Sequence, residues 1–360
     1  HLSIRRQRQM CIRDRLLLIV PTLFLILLIN FAVIQIAPGG PVEQAIQQAE
    51  AMQTLGNLRS AGGGSNVYQG AQGLSDEMLA KIKAHYGFDQ PMHIRFFEMV
   101  KNYAQLDFGT SFFKDQPVTA LIKDKLPVSV SLGLWSALLI YLISIPLGIK
   151  KARLHGTVFD QSTSLLLAVA YAIPAFIFAI LLIVFFAGGS YFQWFPLQGL
   201  VSENFADLSL WGKIKDYFWH MALPLLAMVM GGFATVTYLT KYSFVEELSK
   251  PYVLTARSKG LTESQVLYGH VFRNAILIVV AGLPEALIAY FFVGNLFIEI
   301  IFNLDGLGLL GFEAIVQRDY PVIFGTLFIF TLLGLLLRLI GDVLYQWIDP
   351  RIHFDSQGRG

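Results

Sequence analysis

Val128-Ser-Val-Ser-Leu-Gly-Leu-Trp-Ser-Ala-Leu-Leu-Ile-Tyr-Leu-Ile-Ser-Ile-Pro-Leu-Gly-Ile149 carries no charged side chain. At 1.5 Å of rise per residue, roughly 20 apolar residues cross the ~30 Å hydrocarbon core of a bilayer, so this stretch is long enough to span one. Five more stretches match it: 16–36, 164–186, 221–239, 275–293 and 322–347. Four of the six hold no charge; 275–293 contains Glu285, and 322–347 contains Arg338 and Asp342. A helix satisfies its own backbone hydrogen bonds, which is the condition for lying in lipid. Strands of a membrane barrel would alternate apolar and polar residues over about ten positions, and these runs do not. The fold class expected is all-α, a polytopic membrane protein with six transmembrane helices.

The composition agrees. Of 360 residues, 55% are hydrophobic and 14% charged, against roughly 25% charged in an average soluble domain. A soluble chain of this length would divide into two domains, each needing a polar shell for which the charge supply is too small. A net charge of +2 excludes a strongly basic nucleic-acid binder, so no nucleic acid is expected as partner. The one cysteine, Cys11, excludes an internal disulfide framework and a multi-cysteine metal site. The first apolar run is longer than the 7–15-residue core of a secretory signal, and Ala37-Pro-Gly-Gly-Pro41 lacks a small-x-small cleavage pattern. It reads as a retained helix.

Lysine and arginine in the short connections set the orientation. The 150–163 connection has Lys150, Lys151 and Arg153, and 240–274 has Lys241, Lys250, Arg257, Lys259 and Arg273. The 187–220 connection has only Lys213 and Lys215, and 294–321 only Arg318. The basic loops are therefore expected in the cytoplasm, together with both termini. Segment 37–127 then lies outside, with eight Lys/Arg against nine Asp/Glu. It contains Gly62-Gly-Gly-Ser65, a flexible-loop composition, and a helix is expected over 75–106, beginning near Ser75. The organisation expected is an N-terminal segment 1–15, a first helix 16–36, a small extracytoplasmic domain 37–127, a five-helix core 128–347 and a cytoplasmic tail 348–360.

Several chemistries lack their motifs. No G-x-x-x-x-G-K-[ST] occurs, so the chain does not cradle nucleotide phosphates in the P-loop manner. No H-E-x-x-H pair joins the seven histidines, and no G-x-S-x-G suggests acyl transfer. An enzyme is therefore not expected, and neither is a cofactor or a metal.

The most informative polar stretch is Tyr252-Val-Leu-Thr-Ala-Arg-Ser-Lys-Gly-Leu-Thr-Glu-Ser-Gln-Val-Leu-Tyr-Gly-His-Val-Phe-Arg-Asn-Ala275. Gly260 followed by Leu261-Thr262-Glu263 predicts two short helices hinged at Gly260, with Thr262 capping the second. Arg257 and Lys259 fall at the end of the first, where cations suit the helix dipole. A stiff basic knuckle of this kind suits a groove on a cytoplasmic partner; it equally suits an amphipathic loop lying on anionic lipid.

Thr255-Ala-Arg-Ser-Lys-Gly-Leu261 and His270-Val-Phe-Arg-Asn-Ala275 resemble the coupling-helix region of the oligopeptide/dipeptide branch of ABC-importer permeases, with Gly260 at the glycine of that region. The glutamate and downstream Leu-Pro of the broader family pattern are missing, as in the peptide branch. Further matches, in order, are Ile36-Ala-Pro-Gly-Gly-Pro41, Tyr86-Gly-Phe-Asp-Gln-Pro91, Phe108-Gly-Thr-Ser111, Gly306-Leu-Gly308, Arg318-Asp-Tyr-Pro321 and Asp349-Pro-Arg351. The 44–76 insert and Phe185-Phe-Ala-Gly-Gly-Ser-Tyr191 are similar to the permeases of microcin C-type peptide importers. The resemblance implies the type I importer permease fold in the cell inner membrane. It implies a second permease subunit, two ATPase subunits and an extracytoplasmic peptide-binding protein as partners, besides the lipid bilayer. It also implies ATPase docking by Thr255, Ala256, Arg257, Ser258, Lys259, Gly260 and Leu261 in the coupling loop 241–274. The alternative is an ATP-independent secondary transporter or channel, which often shows inverted repeats; none is clear here.

A carboxylate within a span is costly unless it faces water or a partner. Glu285 is read as pore-lining, favouring cationic peptide amines, or else as paired with Arg338. Pro284 and Asn295 join it as candidate pore residues. Gly282 and Pro284 weaken that helix, as discontinuous helices at transport sites do. Arg338 and Asp342, at i and i+4, share a face and are expected to neutralise each other. Segment 294–321 is unusually apolar for an outer loop, as a gate or as interface packing would be. Tyr191, Trp194, Trp211 and Trp219 read as interfacial anchors.

Met10-Cys-Ile-Arg-Asp-Arg15 is what ATG TGT ATA AGA GAC AGN encodes when the last codon is Arg, a string matching a common transposon-type sequencing adaptor. Residues 1–15 are therefore expected to be partly an assembly artefact and Cys11 not native. Resequencing the genomic locus should find these codons replaced; the same codons in an uninterrupted gene would refute the idea.

Overall fold

The structure, a computed structural model, describes residues 2–36, 90–188, 191–293 and 296–348. Positions 37–89, with Gly62–Ser65 and the start of the helix expected from 75, lie outside the described residues. So do Asn295 and the tail 349–360. The described residues are almost entirely helical, in the order α1 (Leu2–Ile36), α2 (Met92–Ala104), α3 (Val118–Arg153), α4 (Val158–Ala172), α5 (Ala175–Phe186) and α6 (Leu210–Leu248). Then come α7 (Pro251–Ser258), α8 (Glu263–Val266), a π-helical turn (Leu267–Val271), α9 (Phe272–Ala281), α10 (Leu283–Ile288) and a second π-helical turn (Ala289–Val293). The last three are α11 (Leu296–Ile301), α12 (Leu307–Gln317) and α13 (Tyr320–Ile348).

Five helical stretches are long and apolar enough to cross a membrane: Leu16–Val33, Val118–Arg153, Leu210–Leu248, Glu263–Ile301 and Tyr320–Leu344. The stretch 164–186, read from sequence as one straight span, is two helices, α4 and α5, bent by 91° at their junction. Pro174 is the cause: a proline disfavours helical backbone at the residue before it. Ile173 is accordingly extended (φ −85°, ψ 117°), and Pro174 itself sits at φ −56°, ψ 136°. The break lies inside an unbroken apolar run, so hydropathy alone does not reveal it. Counting the bent pair as one crossing gives six.

The chain divides into two compact units. In the smaller one (Leu18–Lys123 and Gly311–Thr331), α2 starts directly after Pro91 and buries Phe96 and Tyr103. Phe96 meets Phe24 and Phe31 of α1 edge-on, with ring centroids 5.5 and 5.4 Å away. Tyr103, Phe108 and Phe328 form a second aromatic cluster. Two stretches read separately in the sequence, Phe108–Ser111 and Arg318–Pro321, converge here. Buried Ser111 Oγ donates to Asp319 Oδ2 at 2.5 Å, and the Phe112 amide donates to Oδ1 at 3.3 Å.

The larger unit (His1–Leu17, Asp124–Leu310 and Leu332–Gly360) holds most of the spans. Its helices close on small residues, as expected where lipid supplies no drive for helix association. At Gly148 of α3, an added Cβ would lie 2.6 Å from Thr240 Cβ of α6. One core packs Leu132 on Ala179, Leu182, Met221, Leu225, Ile298 and Phe302. Residues 296–310, expected as an outer connection, are thus largely interior: Ile298, Leu304, Leu307 and Leu310 are all buried. Nearby, Glu299 is fully buried and accepts from Ser129 Oγ (3.1 Å) and the Leu309 amide (2.7 Å), while Ser129 Oγ accepts from the Leu307 amide (2.8 Å). A carboxylate and a hydroxyl therefore take up the free N–H groups of the first turn of α12.

Two of the lysines counted for orientation are buried helix residues. Lys151 (α3) and Lys241 (α6) are buried, at 3.1 and 2.8 Å from Asp160 Oδ1 of α4. Lys151 Nζ also donates to the Asp160 carbonyl (2.8 Å), Thr163 Oγ1 (2.6 Å) and Ser164 Oγ (2.8 Å). The Gly156 amide donates to Asp160 Oδ2 at 3.1 Å. Removing one partner of a buried ion pair leaves an uncompensated charge, at a cost of about 3–5 kcal/mol. Asp160→Asn should therefore lower the thermal unfolding temperature of the detergent-purified protein sharply. Asp160→Asn with Lys151→Met and Lys241→Met, which removes both stranded ammoniums, should recover much of the loss.

Candidate functional site

After Leu248, α6 gives way to Pro251, a favoured first helical residue because its missing N–H would be unbonded there. Helix α7 closes at Gly260, whose φ of +80° suits glycine. The Gly260 amide donates to the Arg257 carbonyl (2.9 Å) and the Leu261 amide to the Ala256 carbonyl (3.4 Å), which is the Schellman pattern. Ala256 and Leu261 complete it by joining one apolar cluster with Ile149, Phe244, Val253, Val266 and Val271. Thr262 then caps α8 in a reciprocal box: its Oγ1 accepts from the Gln265 amide (3.4 Å), and Gln265 Oε1 accepts from the Thr262 amide (2.9 Å). The two short helices hinged at Gly260 and the Thr262 cap are as the sequence predicts.

Across the hinge, Arg257 Nε lies 2.9 Å from Glu263 Oε1 and Nη2 donates to Oε2 at 3.0 Å. Both side chains are exposed, and such pairs contribute only about 0–1 kcal/mol; the fork orients Arg257 rather than holding the fold. The tie that does hold is Glu247, buried at the end of α6. It accepts from Lys250 Nζ (2.5 Å), Tyr252 OH (2.7 Å) and Asn274 Nδ2 (3.0 Å), joining α6, α7 and α9. Burial and the bond to Glu247 push the Tyr252 phenol up to about 12, and the same carboxylate raises the Lys250 ammonium.

The seven residues expected to dock a partner are not equivalent. Thr255, Arg257, Ser258, Lys259 and Gly260 are exposed, as is Leu254. Ala256 is buried and Leu261 half-buried, so these two seat the elbow and do not face outward. A groove of about 490 Å³ beside the elbow is lined by Arg153, Ser249, Arg257 and Glu263 among others. Glu247 carried no signal in the sequence, because its three partners lie 3, 5 and 27 residues away and meet only in the fold.

Glu285 (α10) lies 3.7 Å from Arg338 Nε (α13), so the pairing considered in the sequence is present, with both side chains more than half exposed. Pro284 is buried, its ring against Gly341 where no Cβ would fit, and is therefore a packing residue. Gly282 interrupts the helix between α9 and α10, as its composition suggests. Tyr191, Trp194, Trp211 and Trp219 are exposed, as membrane-interface anchors require.

Among the described residues no group of three or more His, Cys, Asp or Glu could hold a metal ion. Residues 144–354 match the family described as binding-protein-dependent transport system inner membrane component. The chain is 55% identical over 355 residues to the peptidoglycan transport system permease protein YejB of Agrobacterium fabrum, covering 95% of this chain and 98% of that one. It is likewise 55% identical to the inner membrane ABC transporter permease protein YejB of Escherichia coli O157:H7, over 95% of this chain and 98% of that one. It is 31% identical to the oligopeptide transport system permease protein AppB of Bacillus subtilis, over 94% and 98%. With an all-helical span pattern, no P-loop and an exposed basic elbow between two spans, the chain belongs to the binding-protein-dependent transport system inner membrane component family, as a multi-pass permease subunit of an ABC importer and not a catalytic ATPase.

Proposed function

We propose that this chain forms one half of a heteromeric pore that imports oligopeptides, microcin C-like peptides among them, across the inner membrane. The observation that carries this reading is the 55% identity along nearly the whole chain to two transport permeases, with an oligopeptide permease at 31%. A second permease subunit completes the pore, two ATPase subunits hydrolyse ATP on the cytoplasmic side, and an extracytoplasmic binding protein delivers peptide. The chain crosses six times, the bent pair α4–α5 counting once. Both termini lie in the cytoplasm, and 37–127 forms a small domain outside.

In this reading the elbow receives the power stroke. Thr255, Arg257, Ser258, Lys259 and Gly260 meet the ATPase, while Ala256 and Leu261 fix the elbow to the ends of α3, α6 and α9. Closure of the two ATPases pushes the elbows of the two permeases together and switches the pore between outward and inward openings, a rigid-body transition. The buried Glu247 hub supports this role, because an elbow transmits force only if its root is stiff. Glu285 faces the peptide path, where a mid-span carboxylate meets water. Asn295 is proposed as a further pore residue.

Gly260→Pro tests the coupling directly, since proline fixes φ near −65° and cannot take the +80° of this turn. Expected in the reconstituted complex are peptide uptake at background level and ATP hydrolysis no longer stimulated by peptide-loaded binding protein, with membrane insertion unchanged. Normal uptake in this variant would refute the docking role. Peptide uptake by the isolated chain without an ATPase would refute the importer reading itself.

A further inference from the structure

Glu285 and Arg338 form an ion pair that is poorly explained as a structural tie. At 3.7 Å the Nε–Oε1 separation exceeds a hydrogen bond, and among the described residues neither side chain has a hydrogen-bond partner. The buried groups elsewhere in this unit contrast sharply, since Asp160, Glu247 and Glu299 each accept two or more bonds. Glu285 and Arg338 instead keep 64% and 56% of their side chains exposed in the isolated subunit. Their surroundings are apolar for a turn or more on either side: Ala281–Pro284 and Ala286–Val293 flank Glu285, and Val322–Leu337 precedes Arg338. Two charges presented at that depth to hydrocarbon would be costly, so in the complex they face water or another polar group.

The backbone around them is irregular on both sides. The helix breaks at Gly282, three residues before Glu285, and enters a π-helical turn at Ala289, four residues after it. Such irregularities gather at functional sites in membrane helices. The seam that carries the pair is closely packed: Pro284 rests on Gly341, and Ile288 lies along Gly334. The backbones of α10 and α13 are thus held together while the two charged ends stay free to open. Asp342, one turn beyond Arg338, adds a second carboxylate to the same helix face.

Resting on the peptide-import reading above, we propose that Glu285 and Arg338 are a charge-exchange station on the peptide path. Without substrate each neutralises the other. As a peptide passes, its ammonium groups displace Arg338 from Glu285, and its carboxylates displace Glu285 from Arg338. A loosely held pair opens for either charge, which lets one pore accept basic and acidic peptides alike. The pair therefore sets the charge tolerance of the pore rather than its length limit.

The test uses the complete complex, with its binding protein, in proteoliposomes, and measures initial uptake of Ala-Lys-Lys-Ala and Ala-Glu-Glu-Ala. The binding protein is common to all arms, so its own preference cancels when each variant's basic-to-acidic ratio is divided by that of the wild type. Glu285→Gln removes the carboxylate that faces Arg338 and should lower the ratio about tenfold; Arg338→Gln should raise it by a similar factor. The Glu285→Gln, Arg338→Gln double variant, which strands no charge, should return the ratio to near the wild-type value while slowing both peptides. If either single variant fails to insert, uptake by the double decides: both peptides at the wild-type rate would overturn the proposal. Wild-type ratios in both single variants with uptake retained would also overturn it. Loss of the second permease subunit from purified single variants would overturn it in favour of a subunit-interface pair. Absence of uptake of either peptide by the wild-type complex would instead defeat the peptide-import reading on which it rests.

Discussion

Asp160 holds two ammonium groups, Lys151 and Lys241, where almost no water reaches them. In a chain with so few charged residues, this carboxylate illustrates the constraint on the whole architecture. Every polar group taken out of water needs a protein partner, because lipid offers none. The same constraint explains Glu299 and Ser129 at the start of α12, and Glu247 at the root of the elbow. In each case one carboxylate gathers donors from elements distant in sequence and pins helix ends that hydrophobic packing alone would leave free to slide. Apolar contact in a membrane discriminates poorly between protein and lipid, so these polar ties and the close approaches at glycines carry much of the specificity.

The elbow shows how such rigidity shapes a protruding feature. A knuckle that protrudes and still keeps its shape has to be exposed at its tip and fixed at its base. Residues 251–261 meet both demands: their outward positions are mostly polar, Leu254 being an exception, and their inward positions, Val253, Ala256 and Leu261, lie on the apolar cluster beneath. Glycine in the left-handed region at 260 turns the chain in one residue, and the Thr262–Gln265 box starts the next helix at once. Glu285 and Arg338 follow the opposite logic, being charged, exposed and loosely paired. Within one unit, firmly tied charges build the frame, and a slack pair stands apart from it.

Much of this was legible in advance. Long uncharged runs announced the spans, because the thickness of a bilayer converts directly into a residue count. Gly260 and Thr262 announced the elbow, because capping is local chemistry written within a few positions. The proline-induced bend between α4 and α5 was hidden by uniform hydropathy, although Pro174 itself was in plain view. The inward seating of Ala256 and the burial of Lys151 and Lys241 were hidden for another reason. A residue's side of a helix matters only once a neighbouring helix is present.

By itself, then, the sequence determined that the chain is helical, membrane-spanning and without a phosphate-binding loop, and where its basic elbow turns. These follow from chain-local physics: apolar length, helix capping, and the absence of a contiguous motif. Only the tertiary structure decided which charges are firm ties and which are loosely paired, as with Asp160 against Glu285, and which elbow residues point outward. Those properties depend on distances between residues far apart in the chain, such as Asp160 and Lys241, 81 positions apart, which packing of whole helices brings to within 2.8 Å.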